Sequence, residues 1–149
     1  MKLRDRDVEI LRFLDRDSRM SLRHIAKELE VSPTTVSNRV QKMKDAGVIK
    51  KFNIKVDFNE LDYSLTAIIK VKAKSDDLSR VLEELEHYDC LTHIYETTGD
   101  FDVISIGKFK SRKEMTEQLV DLVQCPHVDT TNTSLVLSTL REYENSGLI

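Results

Sequence analysis

Glu30-Val31-Ser32-Pro33-Thr34-Thr35-Val36-Ser37-Asn38-Arg39-Val40 is the stretch on which the reading of this chain turns. The Ser32 hydroxyl can accept a hydrogen bond from an orphan backbone N–H, and Pro33 at the first helical position forfeits no intrahelical bond, so a helix starts here. Val36, Val40 and Met43 return at helical spacing behind it, and Gly47 supplies the left-handed residue that ends it. Working upstream, Leu22, Ile25, Ala26 and Leu29 mark one face of a second helix, with Ser21 as its N-cap. Further upstream, Val8, Leu11 and Leu14 recur with Ile10 on their flank, and Asp5 and Asp7 in the first turn suit the positive end of a helix. Three short helices ending near residue 47 form one compact unit.

The second and third of these helices fit the register of a helix-turn-helix. Ala26 falls at the small position where the two helices cross, and Ile25, Leu29, Val31 and Val36 fall where such a motif buries apolar residues. Glu30 stands where the turn usually has glycine. An ordinary helical hairpin is the competing description, and the far side of the third helix argues against it. Thr34, Thr35, Ser37, Asn38, Arg39, Gln41 and Lys42 are short polar, amide or basic groups with no carboxylate among them, whereas a merely solvated face mixes in Glu and Asp. Short hydroxyls and free N–H groups at a helix N-terminus suit phosphate oxygens and close approach to base edges. Asn38 can pair with adenine N6/N7 and Arg39 with guanine O6/N7. Ser32, Thr34, Thr35, Ser37, Asn38 and Arg39 are therefore the expected positioning and reading residues. Arg23, Lys42, Lys50 and Lys51 are the expected phosphate contacts.

After Gly47 the pattern changes. Val48 to Phe58 mixes basic and apolar residues and reads as an extended connector, with room for one strand. From Leu65 the period is two: Leu65, Ala67, Ile69, Val71 and Ala73 share a face, with Thr66, Lys70 and Lys72 opposite. A helix follows on Leu78, Val81, Leu82 and Leu85. Two short strands, Leu91 to Thr98 and Asp102 to Phe109, flank Thr98-Gly99-Asp100-Phe101. Ser111 with Glu114 is a capping box that opens a helix carrying Met115, Leu119, Leu122 and Val123. Val128 to Thr139 reads as a last strand, and the tail from Leu140 to Ile149 carries no pattern. The fold class is α+β: a three-helix, winged-helix-like helix-turn-helix domain over 1–49, a hinge strand or linker over 50–62, and a ferredoxin-like βαββαβ sandwich over 63–149. Both sandwich helices cover one face of the sheet. The other face, with Ile68 and Ile104 or their alternates, is left for a second copy, which predicts an oligomer.

Composition narrows the function. The 149 residues carry a net charge of −3, yet residues 1–55 hold 14 Lys+Arg against 8 Asp+Glu, and the remainder is strongly acidic. Local charge, not the total, points to nucleic acid. The longest apolar runs are three residues, which excludes a membrane span or signal peptide and predicts a cytoplasmic protein. Its four glycines lie at least eight apart, so neither a Walker A loop nor a GxGxxG turn can be written. His87, Cys90 and His93 have metal-like spacing but offer three ligands across a helix end and a strand start, so no metal and no cofactor are expected. Cys125, before Pro126, has no identifiable base, and no catalytic residue is assigned.

Four segments then resemble the Lrp/AsnC family, the feast/famine regulators: Leu14 to Arg19, Val31 to Val40, Ala46 to Ile49, and Thr98-Gly99-Asp100-Phe101-Asp102. Their order and spacing agree with the family across nearly the whole chain. The resemblance implies a sequence-specific transcriptional regulator that binds double-stranded DNA. It also implies a C-terminal domain that forms homodimers and often octamers, with a small effector, commonly an amino acid, bound between C-terminal domains. By the same match, Gly99, Asp100, Phe101 and Asp102, with Thr131 and Thr133, are the expected effector residues. Loop N–H groups can receive a carboxylate and Asp can pair with an ammonium; a plain β-turn is the competing description. Two further alternatives stand. One is an architectural DNA-compacting protein. The other is an enzyme like the divergent relatives that decarboxylate sirohaem, which the absence of Trp and the acidic C-terminal half make a poor match.

Overall fold

A computed structural model describes residues 2–142. The unpatterned tail is therefore seen only to residue 142, and the rest of it lies outside the described residues. The chain divides into two compact units, the first ending at Val56 and taking up the chain again at Arg141, the second running from Asp57 to Leu140.

The first unit holds α1 (Asp5–Arg16), α2 (Leu22–Glu28) and α3 (Pro33–Asp45). Ser21 caps α2 by accepting from His24 N–H, and Ser32 caps α3 by accepting from Thr35 N–H. Gly47, at φ +70, ends α3: its N–H reaches Lys44 O at 2.9 Å and Val48 N–H reaches Met43 O at 2.9 Å. The same pair of bonds ends α2, from Glu30 N–H to Lys27 O and from Val31 N–H to Ala26 O, with Glu30 itself at φ 53. Ile10, Leu14, Ile25, Ala26, Leu29, Val36, Val40 and Met43 form the core.

The inward stripe of α1 differs from the sequence expectation. It runs through Asp7, Ile10 and Leu14, while Val8 and Leu11 are only half-buried. The connector also differs: residues 50–57 form no strand, because no ladder among the described residues offers them a partner.

The second unit contains β1 (Leu65–Ala73), α4 (Leu78–Leu85), β2 (Leu91–Glu96), β3 (Val103–Phe109), α5 (Arg112–Gln124) and β4 (Val128–Leu135). Strand order is β2-β3-β1-β4 and every neighbouring pair is antiparallel, the ferredoxin-like arrangement. Ala67, Ile69 and Val71 on β1 and Val103 on β3 pack with Val81 and Leu85 of α4 and Leu122 of α5. Registers place the opposite face in pairs: Ile68 beside Ile106, Lys70 beside Ile104, His93 beside Ile106 and Tyr95 beside Ile104. No helix of the second unit's core packs there. Ile68, Ile104 and Ile106 are half-buried and Tyr95 is 51% exposed.

The last strand stops at Leu135 rather than Thr139. Leu135 pairs with Ala67, Val136 N–H reaches Thr66 O, and β1 begins one residue earlier, so the partner has run out.

Candidate nucleic-acid interface and effector loop

Two hydroxyls, three residues apart, build the N-terminus of α3. Ser32 Oγ accepts from Thr35 N–H at 3.1 Å and shares a 2.8 Å hydrogen bond with Thr35 Oγ1. Both hydroxyls thus hold the first turn, while Thr34 and Ser37 stay exposed with Asn38 and Lys42. Arg23 on α2 and Lys50 and Lys51 beyond α3 are exposed as well. One turn toward the C-terminus, Gln41 donates to Asp45 Oδ1 at 2.7 Å, so the polar side of α3 does carry one acid at its far end.

Arg39 is not on that exposed row. Its Nε and Nη2 donate to the two carboxylate oxygens of Asp7, which also accept Arg4 N–H at 2.9 Å. Asp7 is fully buried and the Arg39 side chain is only 18% exposed. In this geometry one edge of the Arg39 donor fork, expected to face guanine, is spent on Asp7 and its charge is compensated there. The Arg39 guanidinium above all, and then Arg4 N–H, hold the Asp7 carboxyl below the usual carboxylate range, against the upward push of burial. Sequence reasoning treated Asp7 as a helix-end acid. The signal it passed over is the spacing Asp7, Ile10, Leu14, which sets an acid into the apolar stripe of α1.

In the second unit, Gly99 takes φ +120, which an L side chain rarely adopts. Thr97 clasps the loop, N–H to Asp102 O at 2.8 Å and Oγ1 to Phe101 O at 2.9 Å. Asp102 is structural on one side: Oδ2 accepts Ala73 N–H at 2.8 Å, where the β1–β4 register slips between Lys72 and Ala73. Lys72 Nζ donates to Asp100 O at 2.9 Å, and Lys70 Nζ lies 5.9 Å from the centre of the Phe101 ring. Asp100 itself is exposed.

Thr131 and Thr133 pair with Val71 and Ile69, so they share the helix-covered face of the sheet. The loop is tied to Lys70 and Lys72, on the other face. One chain therefore does not bring the Thr pair and the loop into a single pocket. As for metals, no group of three or more His, Cys, Asp or Glu that could hold an ion occurs among the described residues. The Cys90 thiol is pushed up by burial, away from the thiolate that a metal requires. No helix among the described residues is long and apolar enough to cross a membrane.

Comparisons with known proteins agree with this layout. A family model for winged helix-turn-helix DNA-binding domains matches residues 3–50, and one for the Lrp/AsnC ligand-binding domain matches residues 66–145. The chain is 39% identical, over 95% of its own length and 96% of the relative's, to an HTH-type transcriptional regulator of Pyrococcus furiosus. The structure of E. coli AsnC matches with a TM-score of 0.92 and 29% identity, over 97% of this chain and 98% of that one. A Neisseria meningitidis regulator, NMB0573, solved in complex with L-Met, shares the fold at a TM-score of 0.89 and 19% identity, over 95% of this chain and 94% of that one. With its helix-turn-helix unit and its four-stranded ligand-binding unit both matched, the chain belongs to the Lrp/AsnC family of transcriptional regulators.

Proposed function

We propose that this regulator reads duplex DNA through the exposed row of α3, with Thr34 and Asn38 toward base edges. Ser32, Thr35 and Ser37 position the helix N-terminus on the backbone, and Arg23, Lys42, Lys50 and Lys51 neutralise phosphates. The observation that carries this reading is the row itself: a capped helix N-terminus whose exposed hydroxyls and amide have no acid beside them until Asp45. Asn38 is the reader to test. Binding of duplexes selected from a random-sequence pool should weaken in Asn38→Ala, with relaxed preference at one position and a cost of about 1–3 kcal/mol. Lys51→Ala should weaken all duplexes alike and flatten the salt dependence. If the chain holds every sequence equally, it compacts DNA rather than regulating by sequence.

The regulator acts as a homodimer or larger assembly in the cytoplasm, and catalysis forms no part of the mechanism. Paired recognition helices then meet successive major grooves about 34 Å apart. The Neisseria relative's L-Met complex supports an amino acid as the effector class. Loop N–H groups around Gly99 and Asp100 would take the carboxylate, Asp100 the ammonium, and Phe101 and Asp102 would shape the loop. Because Thr131 and Thr133 face the other side of the sheet, they join the site only from a second copy. Asp100→Ala should abolish the response of DNA binding to pooled amino acids and leave ligand-free binding intact; a response that survives removes the loop from the mechanism.

A further inference from the structure

We infer that Arg39 is a positioning residue of the recognition helix: seated on the buried Asp7 carboxylate, it fixes the roll of α3 and so sets which hydroxyls and amides face the duplex. The inference deepens the duplex reading above and rests on it. Three observations carry it. Asp7 is fully buried in the first turn of α1, and two separate nitrogens of Arg39 bond its two oxygens, a planar fork that tolerates little rotation. Arg4 N–H holds the same carboxylate at Oδ2, so the anchor is itself anchored. On α3, Arg39 follows the buried Val36 by three residues and precedes the buried Val40 and Met43, at the margin between core and exposed row.

Apolar packing alone does not do this work. Val36, Val40 and Met43 hold α3 against its neighbours, but burial is non-directional and nearly indifferent to a small roll. A roll of about 20° carries a side-chain tip about 6 Å from the helix axis through roughly 2 Å. That displacement breaks a base-edge hydrogen bond, whose heavy-atom range is about 0.5 Å wide. A two-point ion pair between α1 and α3 is directional and resists the roll. Reading guanine instead would require Arg39 to leave a fully buried carboxylate without its counter-ion, which is strongly unfavourable.

The two roles separate in salt dependence. A residue that touches phosphate adds to the number of released counterions; a residue that only orients a helix does not. The experiment measures binding of the full chain to a duplex selected by the unaltered protein, and to unselected random duplex, across a salt series. It uses Arg39→Gln, Asp7→Asn, both together, and the exchanged pair Asp7→Arg with Arg39→Asp. Each single variant should lose affinity for the selected duplex by the same factor, about ten- to a hundredfold, the equivalent of one or two base contacts. Random-duplex binding and the salt slope should stay put, the double variant should be no worse than either single one, and the exchanged pair should recover part of the loss.

The inference is overturned if Arg39→Gln weakens binding while Asp7→Asn does not, or if the Arg39 variant lowers the salt slope by about one unit. Should the variants fail to fold by circular dichroism, the Arg39 Nε–H resonance of the unaltered protein decides: unmoved by selected duplex it supports the brace, shifted by base contact it refutes it. If the unaltered chain selects no duplex at all, the duplex reading fails and the inference falls with it, an outcome distinct from all the others.

Discussion

Glu30 turns the chain from α2 toward α3 with a left-handed backbone, φ 53, and among the described residues its side chain makes no hydrogen bond or ion pair in return. An L residue in that conformation costs about 1–2 kcal/mol, and glycine would relieve it while losing about 0.5–1 kcal/mol of chain entropy. Glu30→Gly should therefore raise the urea midpoint of the chain by the equivalent of roughly 0.5 kcal/mol without changing the slope of the transition; a lower midpoint would show that the Glu30 side chain stabilises the turn. Asp7 poses the opposite case, a residue held by its partners. Its carboxyl is depressed in the folded chain, first by the Arg39 guanidinium and next by Arg4 N–H. A folded value below the unfolded one means that the contribution is fully present above the ordinary Asp value of about 3.9 and is lost as pH falls through the depressed folded value. Thermal melts taken from about pH 6 downward should show the helical unit losing stability below about pH 4, and Asp7→Asn should flatten that fall. Glu30 was legible as the residue at the turn position usually held by glycine, but Asp7 was not legible in its role. An acid in an apolar stripe has meaning only with its cation, and that cation stands 32 residues further along the chain.

Elements set by neighbouring residues were legible, and those set by distant partners were not. A cap needs only a hydroxyl and a free N–H three residues on. Ser21, Ser32 and Ser111 therefore stand where spacing puts them, and the alternation of Ala67, Ile69 and Val71 places β1 in register with β3 and β4. The connector after Gly47 and the overlong last strand fail for one reason: a strand exists only as far as a partner ladder runs, and sequence pattern carries no measure of that length. At the candidate site, hydroxyls and Asn38 were legible as an acid-free row, whereas the burial of Arg39 depends on α1. The cap of α3 gives a prediction at this scale. Ser32→Ala should destabilise the helical unit by about 1 kcal/mol, since Thr35 N–H loses its acceptor. Ser32→Asp is the sharper variant. Aspartate caps as well as serine, so the melting temperature should hold, yet its charge sits where phosphate is expected. Affinity for both selected and random duplex should fall; unchanged binding would move the helix N-terminus away from the backbone.

At the scale of the whole molecule, the basic charge and the open sheet face belong to different units. Residues 1–55 carry the basic excess, while the sheet of the second unit turns Ile68, Ile104 and Ile106 away from the face that α4 and α5 cover. Three partly exposed isoleucines with Tyr95 and His93 beside them, in stacked rings 5.9 Å apart, make a patch of the kind that monomers rarely leave in water. A second copy related by a two-fold axis would cover it with the same residues, and each half-buried isoleucine would contribute about 1 kcal/mol on losing its remaining exposure. Lys70 lies on the same face, and Lys108 is buried there with its ammonium 5.2 Å from the centre of the Phe58 ring, so the isoleucine centre should dominate the energetics. Ile106→Glu sets a carboxylate in that centre and, on each of two copies, faces it with its own image. Sedimentation equilibrium at micromolar protein should show the unaltered chain as a dimer or larger and Ile106→Glu as a monomer with an unchanged circular dichroism spectrum. Val123→Glu, on the exposed side of α5 where the side chain is 57% exposed, should leave assembly as it was. A monomeric Val123→Glu beside an assembled Ile106→Glu would assign the interface to the helices and leave the open sheet for another partner. Two recognition helices held together bind one duplex with an effective concentration set by their tether, so Ile106→Glu should lose affinity for a two-half-site duplex while keeping its weak affinity for a single half-site.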